Sequence, residues 1–111
     1  MQLQINGTEV IAVFSKYMNE RLALQLIDKE DGSCYTVVTV NLVDEELSNK
    51  NCAFIDTNNN GARILGWLER NSFGRLTGRD GISGYCIYPE FEFKEDLITS
   101  KADDLFGEVT K

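Results

Sequence analysis

The feature that most constrains this chain is a change of hydrophobic period partway along it. From Gln2 to Leu42 apolar and polar side chains tend to alternate, the period of a half-buried strand. Leu22-Ala23-Leu24-Gln25-Leu26 puts three leucines on one face, and within Tyr35 to Leu42 the alternation groups Thr36, Val38, Val40 and Leu42. From Ala62 to Arg70 the period turns helical. Ile64, Leu65, Trp67 and Leu68 then share a broad apolar face, with Arg63, Glu69 and Arg70 outward. This order of elements predicts an α+β fold, a mainly antiparallel sheet of five or six strands with one helix packed on it.

Turn residues divide the pattern. Asn6-Gly7 tolerates positive φ at both positions and predicts a two-residue hairpin between Gln2–Ile5 and Thr8–Tyr17. Met18 to Arg21 makes the next turn, and Asp28-Lys29-Glu30-Asp31-Gly32 another. Asp44 to Asn51 reads as a polar connector before a brief strand at Cys52 to Asp56. Asn58 or Asn59 is placed to cap the helix through its side-chain oxygen. Ser72 to Gly84 contains four glycines and reads as a long loop. Tyr85 to Phe93 is the last strand, at an edge or bulged at Pro89, which has no N–H for a ladder. Residues 1–93 therefore form one domain and residues 94–111 an acidic tail or short helix. The expected core is Leu3, Val10, Ala12, Phe14, Leu22, Leu24, Leu26, Val38, Val40, Phe54, Leu65, Leu68, Ile87 and Phe91.

Histidine is absent, which removes the commonest general base and every Ser-His or Cys-His arrangement. Glu45-Glu46 and Asp103-Asp104 lie in polar stretches suited to a solvated face more than to acid–base work. Cys34, Cys52 and Cys86 are odd in number and widely spaced, so neither a disulfide framework nor a zinc site is expected. Asp44-Glu45-Glu46 lacks calcium-loop spacing. The residues thus imply a chain that is not an enzyme and that carries no metal or cofactor. With no long apolar run and no basic-then-apolar N-terminus, neither a membrane span nor a secretory signal is expected, and the chain is read as cytoplasmic.

Net charge is −7, from eighteen acids and eleven bases. Residues 28–57 hold seven acids against Lys29 and Lys50, a net of −5, and residues 89–111 a net of −4. Between them, residues 58–88 carry Arg63, Arg70, Arg75 and Arg79 for a net of +2. Direct nucleic-acid binding wants a basic excess, so a basic protein is the better partner for the acidic stretches. Gly74 to Gly84 matches neither phosphate-loop order nor a dinucleotide fingerprint, although Arg75 and Arg79 are suited to grip a carboxylate or phosphate. Asp56-Thr57-Asn58-Asn59-Asn60 offers either turn and cap residues or a polar contact patch beside Arg63.

Leu22 to Leu26, Asp31-Gly32, Tyr35 to Leu42, Phe54 to Asn60, Thr77-Gly78-Arg79, Ser83-Gly84-Tyr85-Cys86 and Tyr88-Pro89 occur here in one order. Together they resemble a family of small proteins encoded in bacterial mobile elements, chiefly of Firmicutes, classed as a domain of unknown function. The resemblance spans roughly residues 1–93 and leaves the tail outside it. Such proteins are also similar to anti-CRISPR proteins directed at type II Cas9. That likeness implies a non-catalytic inhibitor, acting in the bacterial host, that binds Cas9 and interferes with guide RNA or DNA engagement. The effector's guide and target channel is strongly basic. Asp28, Glu30, Asp31, Asp44, Glu45, Glu46, Glu90 and Glu92 would meet it, with Asn59, Asn60, Arg63, Arg75 and Arg79 as further contacts. The alternative expectation is sequestration of a nucleotide or signal molecule by the arginine–glycine loop. Pairing of a sheet edge into a homodimer is the third reading, against which Pro89 argues.

Overall fold

The computed structural model describes residues 3–98. Four strands, β1 (Leu3–Ile5), β2 (Thr8–Lys16), β3 (Leu22–Asp28) and β4 (Cys34–Val37), form an antiparallel meander. The Asn6-Gly7 turn closes its first hairpin with φ of 50° and 82°, as the sequence predicts. Leu22, Leu24 and Leu26 all point inward. A second four-stranded sheet has the order β5-β6-β8-β7, from β5 (Thr39–Val40), β6 (Cys52–Ile55), β7 (Gly74–Ser83) and β8 (Cys86–Phe93). Between β6 and β7 lie a one-turn helix, α1 (Thr57–Asn60), and α2 (Arg63–Arg70).

Two sheets replace the single sheet of five or six strands, and among the described residues α1, α2 and a helical turn over residues 95–98 replace the one helix. The division falls at Val38, inside the stretch that alternation reads as one strand. Val38 and Thr39 are buried in succession, which a single flat strand does not allow. The Val38 N–H donates to the Leu24 carbonyl at 2.8 Å while its own carbonyl accepts from Asp56 N–H at 2.8 Å. One residue thereby bonds to β3 of the first sheet and to the residue that directly follows β6 of the second. Thr39 Oγ1 holds the crossing, accepting from Leu24 N–H at 3.1 Å and lying 3.0 Å from the Tyr17 hydroxyl.

Both sheets feed one main core, and Leu42, Phe54 and Tyr88 form a smaller cluster beside it. Leu3, Val10, Ala12, Phe14 and the three leucines meet Ala53, Ile55, Phe91 and Phe93 across the main core, and α2 closes it with Ile64, Trp67 and Leu68. Phe14 and Phe93 stand edge to face at 5.4 Å, and Trp67 stacks on Phe73 at 5.5 Å. Aromatic pairs of this kind add about 0.5–1.5 kcal/mol each beyond burial. Of the expected core, Val40 and Leu65 are only partly buried, and Ile87 is exposed.

The stretch read as a glycine loop is β7, the largest correction to the sequence reading. Its glycines serve the ladder. Gly74, at φ 153°, lies where a Cβ would strike the Glu92 carbonyl, and at Gly81 a Cβ would meet the Phe54 ring and Leu42. β8 is an interior strand, so Pro89 is not at an edge. The irregularity lies opposite it on β7: between the pairs Leu76–Phe91 and Asp80–Pro89, Thr77, Gly78 and Arg79 face the single residue Glu90. The predicted asparagine cap is also corrected. Asp56 caps α1, accepting from Asn59 N–H at 3.1 Å, and α2 begins after Gly61 (φ 76°) with no side-chain cap. Residues 94–98 continue from β8, with Leu97 and Ile98 against the main core; the rest of the expected tail, residues 99–111, lies outside the described residues.

Candidate functional site

The bulge on β7 wraps a carboxylate. Glu90 is fully buried and receives Ser48 N–H at 2.8 Å, Ser48 Oγ at 2.7 Å, Thr77 Oγ1 at 2.6 Å and Arg79 Nη1 at 3.3 Å. Burial alone would push this carboxyl upward more than any other single influence. The hydrogen bonds from Thr77 and Ser48 and the Arg79 charge together outweigh it and hold the group below its ordinary value. Next to it, Glu92 accepts from Asn49 Nδ2 at 2.8 Å and from Arg75 at 3.0 Å, and these bonds lower its carboxyl as well. Glu90 and Arg79 therefore tie the 44–51 connector to the second sheet. Glu90 does not belong on the acidic contact face assigned to it from sequence, and Arg75 and Arg79 have internal counterions where the loop reading left them free.

The other acids stand differently. The four ion pairs among the described residues are Lys29–Glu9, Lys50–Glu95, Arg75–Glu92 and Arg79–Glu90. None of the seven acids from Asp28 to Asp56 takes part. Asp28 Oδ1 accepts from Glu30 N–H at 2.8 Å, and Asp31 accepts from Ser33 Oγ at 2.6 Å, bonds that shape the β3–β4 turn. The Ser33 bonds lower the Asp31 carboxyl. Glu30 is exposed at the same turn, while Asp44 and Glu46 are exposed and Glu45 half-buried on the connector. These six acids occupy two separate segments of the surface.

The structure gathers the remaining sequence candidates in a groove of about 920 Å³ between α2 and the edge strands β1 and β4. Asn59, Asn60 and Arg63 line it together with Gln4, Trp67 and Arg70. Asn60 is a clip: its amide donates to the Val37 carbonyl at 3.1 Å and the Asp56 carbonyl at 2.9 Å, and its oxygen accepts from Thr36 Oγ1 at 2.6 Å. Trp67 Nε1 donates to the Gln4 carbonyl at 2.6 Å and fixes α2 against β1. Neither Arg63 nor Arg70 has an ion-pair partner among the described residues. Sequence reading sets both arginines outward on the helix, and their spacing of seven residues signals a shared face, but it names only Arg63 as a contact residue.

A second feature missed from sequence is the tip of the β7–β8 hairpin. Ile82 and Ile87 pair across the strands and are 60% and 61% exposed, with Tyr85 at the turn fully exposed. Alternation groups Ile87 with buried Phe91 and Phe93 on one face of β8, but Ile87 pairs with Ile82 near the hairpin tip and is exposed.

Among the described residues no cluster of three His, Cys, Asp or Glu side chains could hold a metal ion. Cys52 is buried, and burial followed by the nearby Glu90 charge pushes its thiol up to about 11. Cys34 is exposed and Cys86 half-buried. No helix of the described residues is long and apolar enough to cross a membrane. No curated protein and no solved structure matches the chain. Residues 11–111 match the family described as Domain of unknown function (DUF4313), a match that runs through the tail to Lys111 and past the limit of the resemblance at Phe93. The chain belongs to the DUF4313 family.

Proposed function

We propose that this protein is a non-catalytic inhibitor that works by binding a basic, nucleic-acid-handling protein, with type II Cas9 the target its sequence resemblance implies. One observation carries the reading. The arginines and lysines that form ion pairs are spent on Glu9, Glu90, Glu92 and Glu95, which leaves every acid from Asp28 to Asp56 without an ion pair among the described residues. Exposed and half-buried acids left this way repel one another and gain from a basic partner. Asp28, Glu30 and Asp31 on one turn and Asp44, Glu45 and Glu46 on the connector are the contact residues. They would occupy sites in the effector's basic channel that otherwise take guide RNA or target DNA. In this reading the chain is encoded by a mobile element of a Firmicutes host and acts in the host cytoplasm.

The test is charge reversal within each acidic segment. Glu30→Lys with Asp31→Lys, and Glu45→Lys with Glu46→Lys, should each relieve inhibition of target cleavage by purified Cas9. Circular dichroism should stay close to that of the parent chain, with a lower melting temperature only in the first variant, which gives up the Ser33 bonds to Asp31. Full inhibition by both variants would refute the reading.

A further inference from the structure

We propose that the groove between α2 and the edge strands β1 and β4 binds a small polar molecule carrying adjoining phosphoryl groups, the chemistry of a nucleoside diphosphate or of free pyrophosphate. The site is independent of the acidic segments and of the partner reading. Its charge is the first ground. In a chain of net charge −7 the groove is lined by two arginines, five amide side chains and no acid. Two other concavities each hold acids: Glu9, Asp28 and Glu30 in one, Glu92 and Glu95 in the other.

The second ground is Gly66, in the middle of α2. A helix-interior glycine is less favourable than alanine, and no positive φ requires one here. A Cβ at this position would meet one group within van der Waals range, the Arg70 guanidinium, with Nη1 at 3.0 Å. Arg70 therefore folds back along α2 over the bare backbone of Gly66. Its charged end lies about one turn nearer Arg63 than its own Cα does, a turn being about 5.4 Å. The Arg70 charge is thus brought towards the Arg63 end of α2, in a groove that both arginines line and no carboxylate does, and an anion relieves the repulsion between two such charges. Their planar forks suit adjacent phosphoryl oxygens.

The surroundings are already fixed. Trp67 forms the floor, held by the Gln4 carbonyl and by Phe73, so the groove need not be assembled on binding. Asn71 donates its amide to the Trp67 carbonyl at 2.8 Å. Tyr35, 37% exposed on the opposite wall, offers a ring face and a hydroxyl to the rest of a ligand. A nucleoside would lie against this amide and aromatic wall, which free pyrophosphate would leave empty.

Thermal unfolding and calorimetric titration of the full chain with pyrophosphate and with ADP separate these sources. Either probe should raise the melting temperature, and ADP should bind more tightly if the wall reads the nucleoside. Arg63→Gln and Arg70→Gln should each weaken binding about 10- to 100-fold, the loss of a charge-assisted contact. Both lie at the exposed surface, so the melting temperature without ligand should hardly change. Gly66→Ala should raise that ligand-free melting temperature while weakening binding several-fold, because the added methyl displaces Arg70. No response to either probe, or binding that survives the double arginine variant, would overturn the site. Unchanged affinity in Gly66→Ala would overturn the role given to that glycine.

Discussion

Replacing Glu90 with glutamine keeps the size of the side chain and removes its charge. In the native protein that carboxylate is fully buried and collects four donors, at 2.6 to 3.3 Å, from Ser48, Thr77 and Arg79. Bonds to a charged acceptor contribute about 1.5–3 kcal/mol each. Glutamine keeps one acceptor oxygen and turns an NH₂ towards the other donors, so about half of the set is lost or opposed. Arg79 is 48% exposed, so water screens it and its ion-pair share is held to about 1 kcal/mol or less. The expected loss is about 3 kcal/mol, a large part of the roughly 5–15 kcal/mol that holds a domain together. For a chain of this size that lowers the melting temperature by roughly 10–20 °C. Urea unfolding followed by the fluorescence of Trp67, the chain's single tryptophan, measures it. The pH dependence has a definite sign. The folded Glu90 carboxyl lies below its ordinary value of 4.5, so its stabilisation is complete above that value and is lost as pH falls through the lower folded one. Glu90→Gln should remove that part of the acid sensitivity. A loss under about 0.5 kcal/mol, with acid sensitivity unchanged, would refute the account of the bulge as a carboxylate clamp.

Gly74→Ala forces a Cβ onto the Glu92 carbonyl in a backbone region that suits glycine, and it should cost about 2 kcal/mol or more by the same unfolding assay. Trp67→Phe keeps the ring stack on Phe73 but strands the Gln4 carbonyl, and should cost about 1–2 kcal/mol. With a thiol reagent at neutral pH, exposed Cys34 should react first, while buried Cys52, its thiol raised to about 11, should react only on unfolding. Fast labelling of Cys52 in the native protein would contradict its placement.

Where sequence reading succeeded, the signal was local. Asn6-Gly7 names its own turn, and Leu22, Leu24 and Leu26 can share a face only one way in a strand. Where it failed, the deciding partner was distant or the backbone broke period. Val38 joins two sheets because Leu24 and Asp56 bond to it from either side, and neither contact is written in the alternation around it. The glycines of β7 resemble loop residues, yet Gly74 and Gly81 mark close approach of Glu92 and Phe54. Glu90 sits in a run where Glu and Phe alternate, which turns it outward on paper. Its burial depends on Ser48, forty-two positions away, and on a three-residue bulge across the ladder. For the candidate site, charge counts located the acidic segments but could not tell the acids with internal partners from those without. That distinction took Glu90 out of the contact set, while the packing of α2 brought Arg70 into the groove.

The measurement that bears most directly on the proposed function is the affinity of the purified chain for guide-free Cas9, taken from about 0.05 M to about 0.3 M salt, a range over which the screening length falls to about two-fifths. The account predicts tight binding at low salt that weakens steeply across this range, and weaker binding throughout when Glu30, Asp31, Glu45 and Glu46 are all changed to lysine. It also predicts competition with guide RNA. Affinity that is indifferent to salt and to those four substitutions, or no binding at all, would contradict it.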